Sequence, residues 1–249
     1  MIFQKFVLVL VLSVQLLFAK SLLDAEEIFE KSIKLFSLPN ISFIIHSKIS
    51  MKQYTEERSF FLAKQSASLY EYDLLIRFIT PKDIRCTAVL IKNNNDKIKR
   101  YAYFPALNRV RMIPNTDENK EVFGIGISYN ELSKKRGTFT TVEEIKEGNK
   151  TLYKLILEYK NTQRHYYIDR DSKLLRKIEI YERTKLTKRV TIQETFTFQG
   201  KLIIKRWNVK DMEQDKNIDF IIDQMSVTEK VNPNLFYKNR LERCRLKAS

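Results

Sequence analysis

The sequence predicts a mainly β, α+β protein built on a large curved antiparallel sheet or barrel. One helical pattern near the N-terminus is followed by apolar residues that alternate with polar ones along most of the remaining chain. Turn-forming residues separate these alternating segments. The chain has 249 residues and is 43% hydrophobic, enough for one domain with a real core.

The N-terminus predicts a secretory signal peptide over residues 1–19. Lys5 supplies the positive charge, an uncharged apolar run covers residues 6–18, and Ala19 follows at a position suited to cleavage. The run is shorter than the roughly 20 residues of a membrane span, although a retained anchor is the alternative. No Cys follows it to accept a lipid, so we expect a single soluble domain over residues 20–249 in the exported compartment.

The first element after the signal is predicted to be an amphipathic helix from Leu22 to Phe36. Ser21 and the acids that follow it suit a helix N-terminus, and Pro39 ends the pattern. The apolar positions at helical spacing are Ile28, Phe29, Ile33 and Phe36.

Strands follow, because the apolar period changes to two. Turn sequences such as Thr-Pro-Lys-Asp, Gly-Asn and Gln-Gly lie between them. A second short helix is predicted at 129–135. The predicted strands cover residues 41–51, 70–78, 84–90, 139–146, 151–159, 166–169, 174–181, 190–198, 202–209 and 218–227.

The sequence offers no catalytic or metal-binding set, so we expect no enzyme activity, no cofactor and no metal. The two histidines, His46 and His165, lie in strand patterns without ligands at suitable spacing. No nucleophile elbow, zincin motif, phosphate loop or dinucleotide fingerprint is present. Cys86 and Cys244 form either one disulfide, which export permits, or two free thiols.

The charge is strongly basic but spread through the chain. The formal net charge is +15, with Lys and Arg interleaved with acids in nearly every segment. No nucleic-acid-binding signature accompanies it, so we expect no nucleic-acid partner. The densest basic stretch, residues 238–247, either docks on anionic lipid or keeps the protein soluble.

Three segments, in this order and spacing, resemble the LolA-like group of outer-membrane lipoprotein-sorting proteins. The likeness extends over about residues 22–246 and includes an Asn-Pro-x-Leu-Phe ending. Gly126, Asn130 and Cys86 depart from the group's usual acid, Glu and Gly. The three segments are FITPKDI leading into TAVLI (78–91), YAYFPALNRVRMI (101–113) and VFGIGISYNEL (122–132).

The resemblance implies an incomplete β-barrel with a helical lid over an apolar cavity that takes acyl chains. It also implies a monomeric carrier in the periplasm of a diderm bacterium, loaded by an inner-membrane exporter complex and unloaded at an outer-membrane acceptor. Its cargo would be the acyl chains of lipoproteins or other lipids. On the residues alone, the inward side chains could equally fill the core.

Site residues are assigned on the same basis. The helix from Leu22 to Phe36 is the candidate lid, through the four apolar residues named above. Arg109 and Arg111 share one strand face, where they pair with acids or contact a lipid head group. The candidate cavity wall contains Tyr72, Leu74, Ile76, Phe78, Tyr101 and Tyr103.

Other functional classes were weighed against the carrier. The same architecture could serve as a periplasmic interaction or sensor module, or as an accessory protein of a lipid exporter. An envelope hydrolase would need a catalytic set that the sequence does not display.

Overall fold

The computed structural model of the chain describes residues 24–52, 54–133 and 136–244. The predicted signal peptide, the predicted start of the helix at 21–23 and residues 245–249 lie outside them. The described chain is mostly β, with thirteen antiparallel strands in one sheet and one α-helix. No described helix is long and apolar enough to cross a membrane.

The chain divides into two compact units. The larger unit contains Ser37–Arg136 and the chain from Lys188 onward. Its strands follow the order β6-β5-β4-β3-β2-β1-β13-β12-β11. Their bounds are β1 Asn40–Met51, β2 Tyr54–Ser66, β3 Glu71–Thr80, β4 Ala88–Asn94, β5 Lys97–Phe104, β6 Arg109–Met112, β11 Lys185–Phe198 (whose first residues fall in the smaller unit), β12 Lys201–Asp211 and β13 Lys216–Thr228.

The smaller unit contains the helix and Gly137–Thr187. Helix α1 covers residues 24–35, and the strands β7 (Thr138–Glu147), β8 (Lys150–Tyr159), β9 (Thr162–Asp169) and β10 (Leu175–Glu182) form a meander. Phe29 of α1 packs on this meander, with its ring centroid 5.3 Å from that of Phe139 and 4.8 Å from that of Tyr166. The apolar side of the helix is therefore buried on one face of the small sheet.

The sheet is open, with β6 and β7 at the two ends of the strand order. The predicted antiparallel sheet is thus confirmed, while a closed barrel is not formed. The predicted helix at 129–133 is instead a turn, in which Tyr129 and Asn130 donate their backbone N–H groups to the carbonyls of Lys120 and Glu118 (3.2 and 2.7 Å). Residues 134–135 of that prediction lie outside the described chain.

The sequence analysis missed three strands and predicted the start of a fourth strand, β4, too early in the chain. The missed strands are β2, β5 and β6. In β2, Phe60 and Phe61 are adjacent and both buried, so the sequence does not alternate there. Strand β4 begins at Ala88 rather than 84, since residues 82–84 form a 3₁₀ turn and Cys86 has a left-handed backbone (φ 68°).

Both faces of β2, β3 and β4 are buried, which explains these continuous apolar runs. We call the face that carries Leu74 and Ile76 the inner face, and the face that carries Leu75 the outer face. The outer face is covered by residues 233–244, whose Leu235, Phe236 and Leu241 pack on it. We call these residues the C-terminal segment.

Three polar or covalent links hold the C-terminal segment on the outer face. A disulfide joins Cys86 to Cys244, so of the two alternatives the structure contains the bridge. The buried Arg77 guanidinium donates to the carbonyl of Leu241 (3.1 Å), and Lys92 donates to the carbonyl of Phe236 (3.3 Å). The segment is thereby an integral layer of the larger unit.

Candidate functional site

Four of the predicted cavity residues lie in a row on the inner face of β3. Tyr72, Leu74, Ile76 and Phe78 alternate with outer-face residues, as the period of a strand requires, and all four are buried. Neighbouring strands extend this face: Ile76, for example, pairs with Leu62 of β2 and Val89 of β4. The result is a continuous apolar surface across the larger unit, which we call the inner apolar cluster.

The other two predicted cavity residues lie on the outer face. Tyr101 pairs with Leu90 and Tyr103 with Ala88, and both pack in the cluster covered by the C-terminal segment. The hydroxyl of Tyr103 donates to Asn108 Oδ1 (3.1 Å). The small Ala102 between them is the inner-face residue, so the large aromatic residues of this motif misdirected the assignment.

Residues 113–133 cover the inner apolar cluster, and we call them the covering segment. Its Val122 and Ile125 are fully buried within the cluster. The ring of Phe123 contacts that of Phe78, with centroids 5.5 Å apart, and that of Phe104 at 5.6 Å. The cluster is closed here by an irregular segment rather than by further strands.

Two glycines allow the covering segment to approach the sheet. Gly124 and Gly126 both have positive φ angles (75° and 69°). A Cβ atom on Gly126 would lie 1.9 Å from Cδ1 of the buried Ile218, and one on Gly124 would lie 2.9 Å from the Arg58 guanidinium. At Gly126 a side chain would be strained by the backbone conformation and would also overlap a buried residue, whereas at Gly124 the end of the Arg58 side chain can move aside.

Arg100 fastens the covering segment at both of its ends. This side chain is 1% exposed and lies on β5. It donates to Asn115 Oδ1 (3.0 Å), to Glu118 Oε2 (3.1 Å) and to Ser133 Oγ (3.2 Å). The guanidinium group suits this role because its fixed donors reach several acceptors at once.

Two lysines from strands beyond β1 in the strand order, β13 and β11, also hold the covering segment. Lys216 of β13 forms an ion pair with Glu121, whose carboxylate also accepts the N–H of Gly126. Lys188 of β11 donates to Glu131 Oε2 (2.9 Å) and to the carbonyl of Gly126 (3.0 Å). Both lysines therefore hold the turn around Gly126, one of them through Glu121.

Two tyrosines of the inner apolar cluster, Tyr72 and Tyr129, also lie at this closure. The Tyr72 hydroxyl donates to the carbonyl of Leu132 (3.0 Å). Burial, assisted by the negative charge of Asp117, raises the pKa of Tyr129 to about 12. The phenol of Tyr129, which belongs to the covering segment, thus stays protonated at neutral pH.

The two predicted arginines and the predicted lid residues are not among the contacts of the covering segment described above. Arg109 and Arg111 are exposed on β6, the edge strand, and both lie on its inner-face side. Among the described residues neither has a carboxylate within 4.0 Å. In α1, Phe29 is buried on the smaller unit, and Ile28, Ile33 and Phe36 are half-buried.

Sequence reasoning identified the covering segment as a family motif but missed its position over the cluster. The available signal was the apolar run VFGIGI with two glycines, bounded by polar residues. No sequence pattern indicated the residues that hold the covering segment in place, because Arg100, Lys188 and Lys216 lie on other strands of the chain. Within the described ranges, no group of three or more His, Cys, Asp or Glu side chains is placed to hold a metal ion.

The chain was compared with known protein families and with curated protein sequences. A family model described as "Uncharacterized protein" matches residues 71–243, more than half of the chain. A search of curated protein sequences gives no match.

Three solved structures share the fold over nearly their whole lengths. A domain assigned by name to outer membrane lipoprotein sorting, from Vibrio parahaemolyticus, has 19% identity and a TM-score of 0.79 over 88% of this chain and 100% of its own. A DUF1329 family protein from Desulfovibrio piger has 13% identity and a TM-score of 0.80 over 89% and 99%. A LolA superfamily protein from Nitrosomonas europaea has 12% identity and a TM-score of 0.70 over 86% and 98%. The resemblance predicted from the three motifs is confirmed in the fold.

Proposed function

Because the chain belongs to the family matched over residues 71–243 and has the LolA-like fold, we propose that it is a soluble periplasmic carrier of lipid acyl chains. The observation that supports this most is the closure of the inner apolar cluster by an irregular, polar-fastened segment. In this proposal, displacement of the covering segment exposes an apolar face on which acyl chains of lipoproteins or other lipids bind. The reaction is binding and release, without covalent chemistry.

The physical need for such a carrier follows from the hydrophobic effect. Exposing a 16-carbon chain to water costs about 12 kcal/mol, at roughly 0.8 kcal/mol per methylene. Crossing an aqueous compartment therefore requires that the chain be buried in a protein. Release requires in turn that the burial be reversible, and a displaceable cover provides this more readily than a closed wall of strands.

The fasteners of the covering segment suit a reversible closure. Its charged links join Arg100, Lys188 and Lys216 to Glu118, Glu131 and Glu121. When the segment moves away, these groups regain water, so much of the lost interaction is replaced by hydration. Val122 and Ile125 would be replaced on the inner apolar cluster by the ligand.

We restrict the proposed wall to the four β3 residues, since Tyr101 and Tyr103 lie on the outer face. Helix α1 remains our proposed lid for the smaller unit, where Phe29 covers apolar side chains. An inner-membrane exporter complex as donor and an outer-membrane acceptor complete the proposal. We expect the carrier to act as a monomer.

Native mass spectrometry of the mature protein purified from the cell envelope, followed by organic extraction, tests the proposal. We expect a co-purifying acylated species. Ile76→Thr, which places a hydroxyl on the inner face, should reduce its occupancy. The matched control is Leu75→Thr, at the adjacent residue on the outer face, which should retain the lipid. Thermal unfolding of both variants checks that each is folded.

A protein free of lipid that also fails to bind a fluorescent fatty acid would overturn the proposal. The inner apolar cluster would then be an ordinary core filled by its own side chains. Equal lipid loss in both variants would likewise remove the inner face as the site. The protein would then be better described as an interaction module on the same fold.

A further inference from the structure

Lys64 is a positive charge on the inner apolar cluster. It lies on the inner face of β2, where it pairs with Ile41 of β1 and Leu74 of β3, both buried apolar residues. Its ammonium nitrogen lies 5.9 Å from the centroid of the Tyr72 ring, a cation–π contact. The side chain is half-buried, and this burial lowers the pKa of Lys64.

Three other lysines of the larger unit that are at least half-buried have carboxylate partners, and Lys64 differs from them. Lys92, Lys188 and Lys216 each form an ion pair at 2.5–2.9 Å. No described carboxylate lies within 4.0 Å of the Lys64 ammonium. A cation among apolar side chains loses part of its hydration, which is unfavourable unless an anion pairs with it. An anion supplied by a ligand would remove this cost.

The position of Lys64 also suits a head group. Its ammonium contacts Tyr72, the first residue of the inner-face row of β3. On the other side of Lys64, the inner face of β3 continues from Leu74 to Phe78. The seven residues from Tyr72 to Phe78 extend about 20 Å, a length comparable with a long acyl chain. Lys64 thus lies beside the Tyr72 end of this row, where it can reach the head group of a chain that lies along the inner face.

We propose that Lys64 binds the anionic head group, a carboxylate or a phosphate, of an amphiphile whose acyl chain lies along the inner face of β3. This inference rests on the proposed carrier function and specifies its ligand class. An acidic lipid, such as a free fatty acid or an alkyl phosphate, is favoured over a chain that ends in a neutral ester or amide. The charge-assisted hydrogen bond from the ammonium provides the discrimination.

Three 12-carbon ligands test the inference: dodecanoate, its methyl ester and dodecyl phosphate. The single tryptophan, Trp207, stacks on Phe220 of the inner apolar cluster (centroids 4.9 Å apart) and reports binding by its fluorescence. We expect an anionic ligand to bind about tenfold more tightly than the ester. The ranking of carboxylate against phosphate identifies the preferred head group.

Variants of Lys64 separate the inference from the proposed function. Lys64→Met should abolish the preference while retaining ester binding, and Lys64→Arg should preserve it. Lys210→Met, at an exposed lysine of β12 on the face opposite to that of Val209, is the matched control and should behave as wild type. Equal binding of acid and ester to wild type, unchanged in Lys64→Met, would overturn the head-group assignment alone. Failure of all three ligands to bind would overturn the carrier proposal itself.

Discussion

Lys216 and Glu121 form an ion pair with 2.5 Å between Nζ and Oε1, although 95 residues separate them in sequence. The lysine side chain is 3% exposed and the glutamate side chain 24%. Glu121 lies in the covering segment and Lys216 at the start of β13. The pair therefore links the cover of the inner apolar cluster to the last described strand.

Replacing Lys216 with Met should loosen the covering segment. The substitution leaves the Glu121 carboxylate without its partner, and we expect a loss of roughly 2 kcal/mol in the free energy of unfolding. Hydrogen exchange of residues 118–131 should increase more than that of β3. The double variant with Glu121→Gln should recover part of the loss. Unchanged exchange in the segment would show that the apolar contacts alone hold it closed.

Gly126→Ala should destabilise the larger unit by about 3 kcal/mol. A positive φ costs a non-glycine residue roughly 1 kcal/mol, and overlap with Ile218 Cδ1 adds an overpacking cost. Gly148→Ala is the control, because it has a similar φ of 60° and open space around the added Cβ. Urea unfolding should give a smaller effect for Gly126→Ala when Ile218→Val removes the clashing methyl group. Equal effects at the two glycines would contradict the proposed close contact.

Loss of the disulfide should destabilise the C-terminal segment. The bridge closes a loop over a sequence separation of 158, and its removal is expected to cost about 2–4 kcal/mol. Thermal unfolding of Cys86→Ser/Cys244→Ser, compared with wild type with and without reductant, measures the effect. Reductant should lower the melting temperature of wild type and leave that of the double variant unchanged. Identical melting of both proteins would show that Arg77, Lys92 and the apolar contacts suffice.

His165 should make the smaller unit less stable in mild acid. Burial, assisted by the positive charge of Lys154, lowers the pKa of His165, against the opposing effect of Glu179 and Glu143. As the pH falls below the ordinary histidine pKa of about 6.5, the unfolded chain takes up a proton that the folded one resists. Stability is thus present above that pH and is lost on acidification. His165→Gln should flatten the decrease between pH 7.5 and 5.5, and an unchanged slope would exclude this residue as its source.

The proposed lid function of α1 is tested by placing charges on its apolar side. Ile28→Asp/Phe29→Asp should abolish lipid transfer between vesicles, because Phe29 loses its contacts with Phe139 and Tyr166. Glu26→Lys/Glu30→Lys, on exposed residues of the same helix, is a control that should transfer normally. Circular dichroism verifies that the sheet is retained. Normal transfer by the folded Asp variant would show that α1 is not the lid.

Periodicity identified β3 and missed β2, although both faces of each strand are buried. Strand β3 was recognised from the alternation that ends at Ile76 and Phe78, whereas β2 was missed because Phe60 and Phe61 are buried on opposite faces. Coverage of the outer face by the C-terminal segment removes the polar half of the pattern. That layer depends on contacts between residues far apart in sequence, which local periodicity does not reveal.

The candidate site was only half predictable for the same reason. Periodicity gave the inner-face row from Tyr72 to Phe78, but Tyr101 and Tyr103 could not be assigned to a face without the register of β5. Lys64 drew no attention in the sequence because a lysine in a strand is ordinarily at the surface. Its burial results from the pairing of β2 with two apolar neighbours, β1 and β3.

The pairing of β1 with β13, in which Ile45 faces Ile222, has a consequence for how the chain matures. Synthesis proceeds from the N-terminus, so β1 emerges long before the strand that completes its second side. Until then one edge of β1 and the apolar side chains of Ile45 and Ile49 are exposed to other chains. Such an exposed edge promotes aggregation. Pairing of two strands that lie so far apart in sequence is also slow. The nascent protein should therefore depend on a holding chaperone until its last strands have been made.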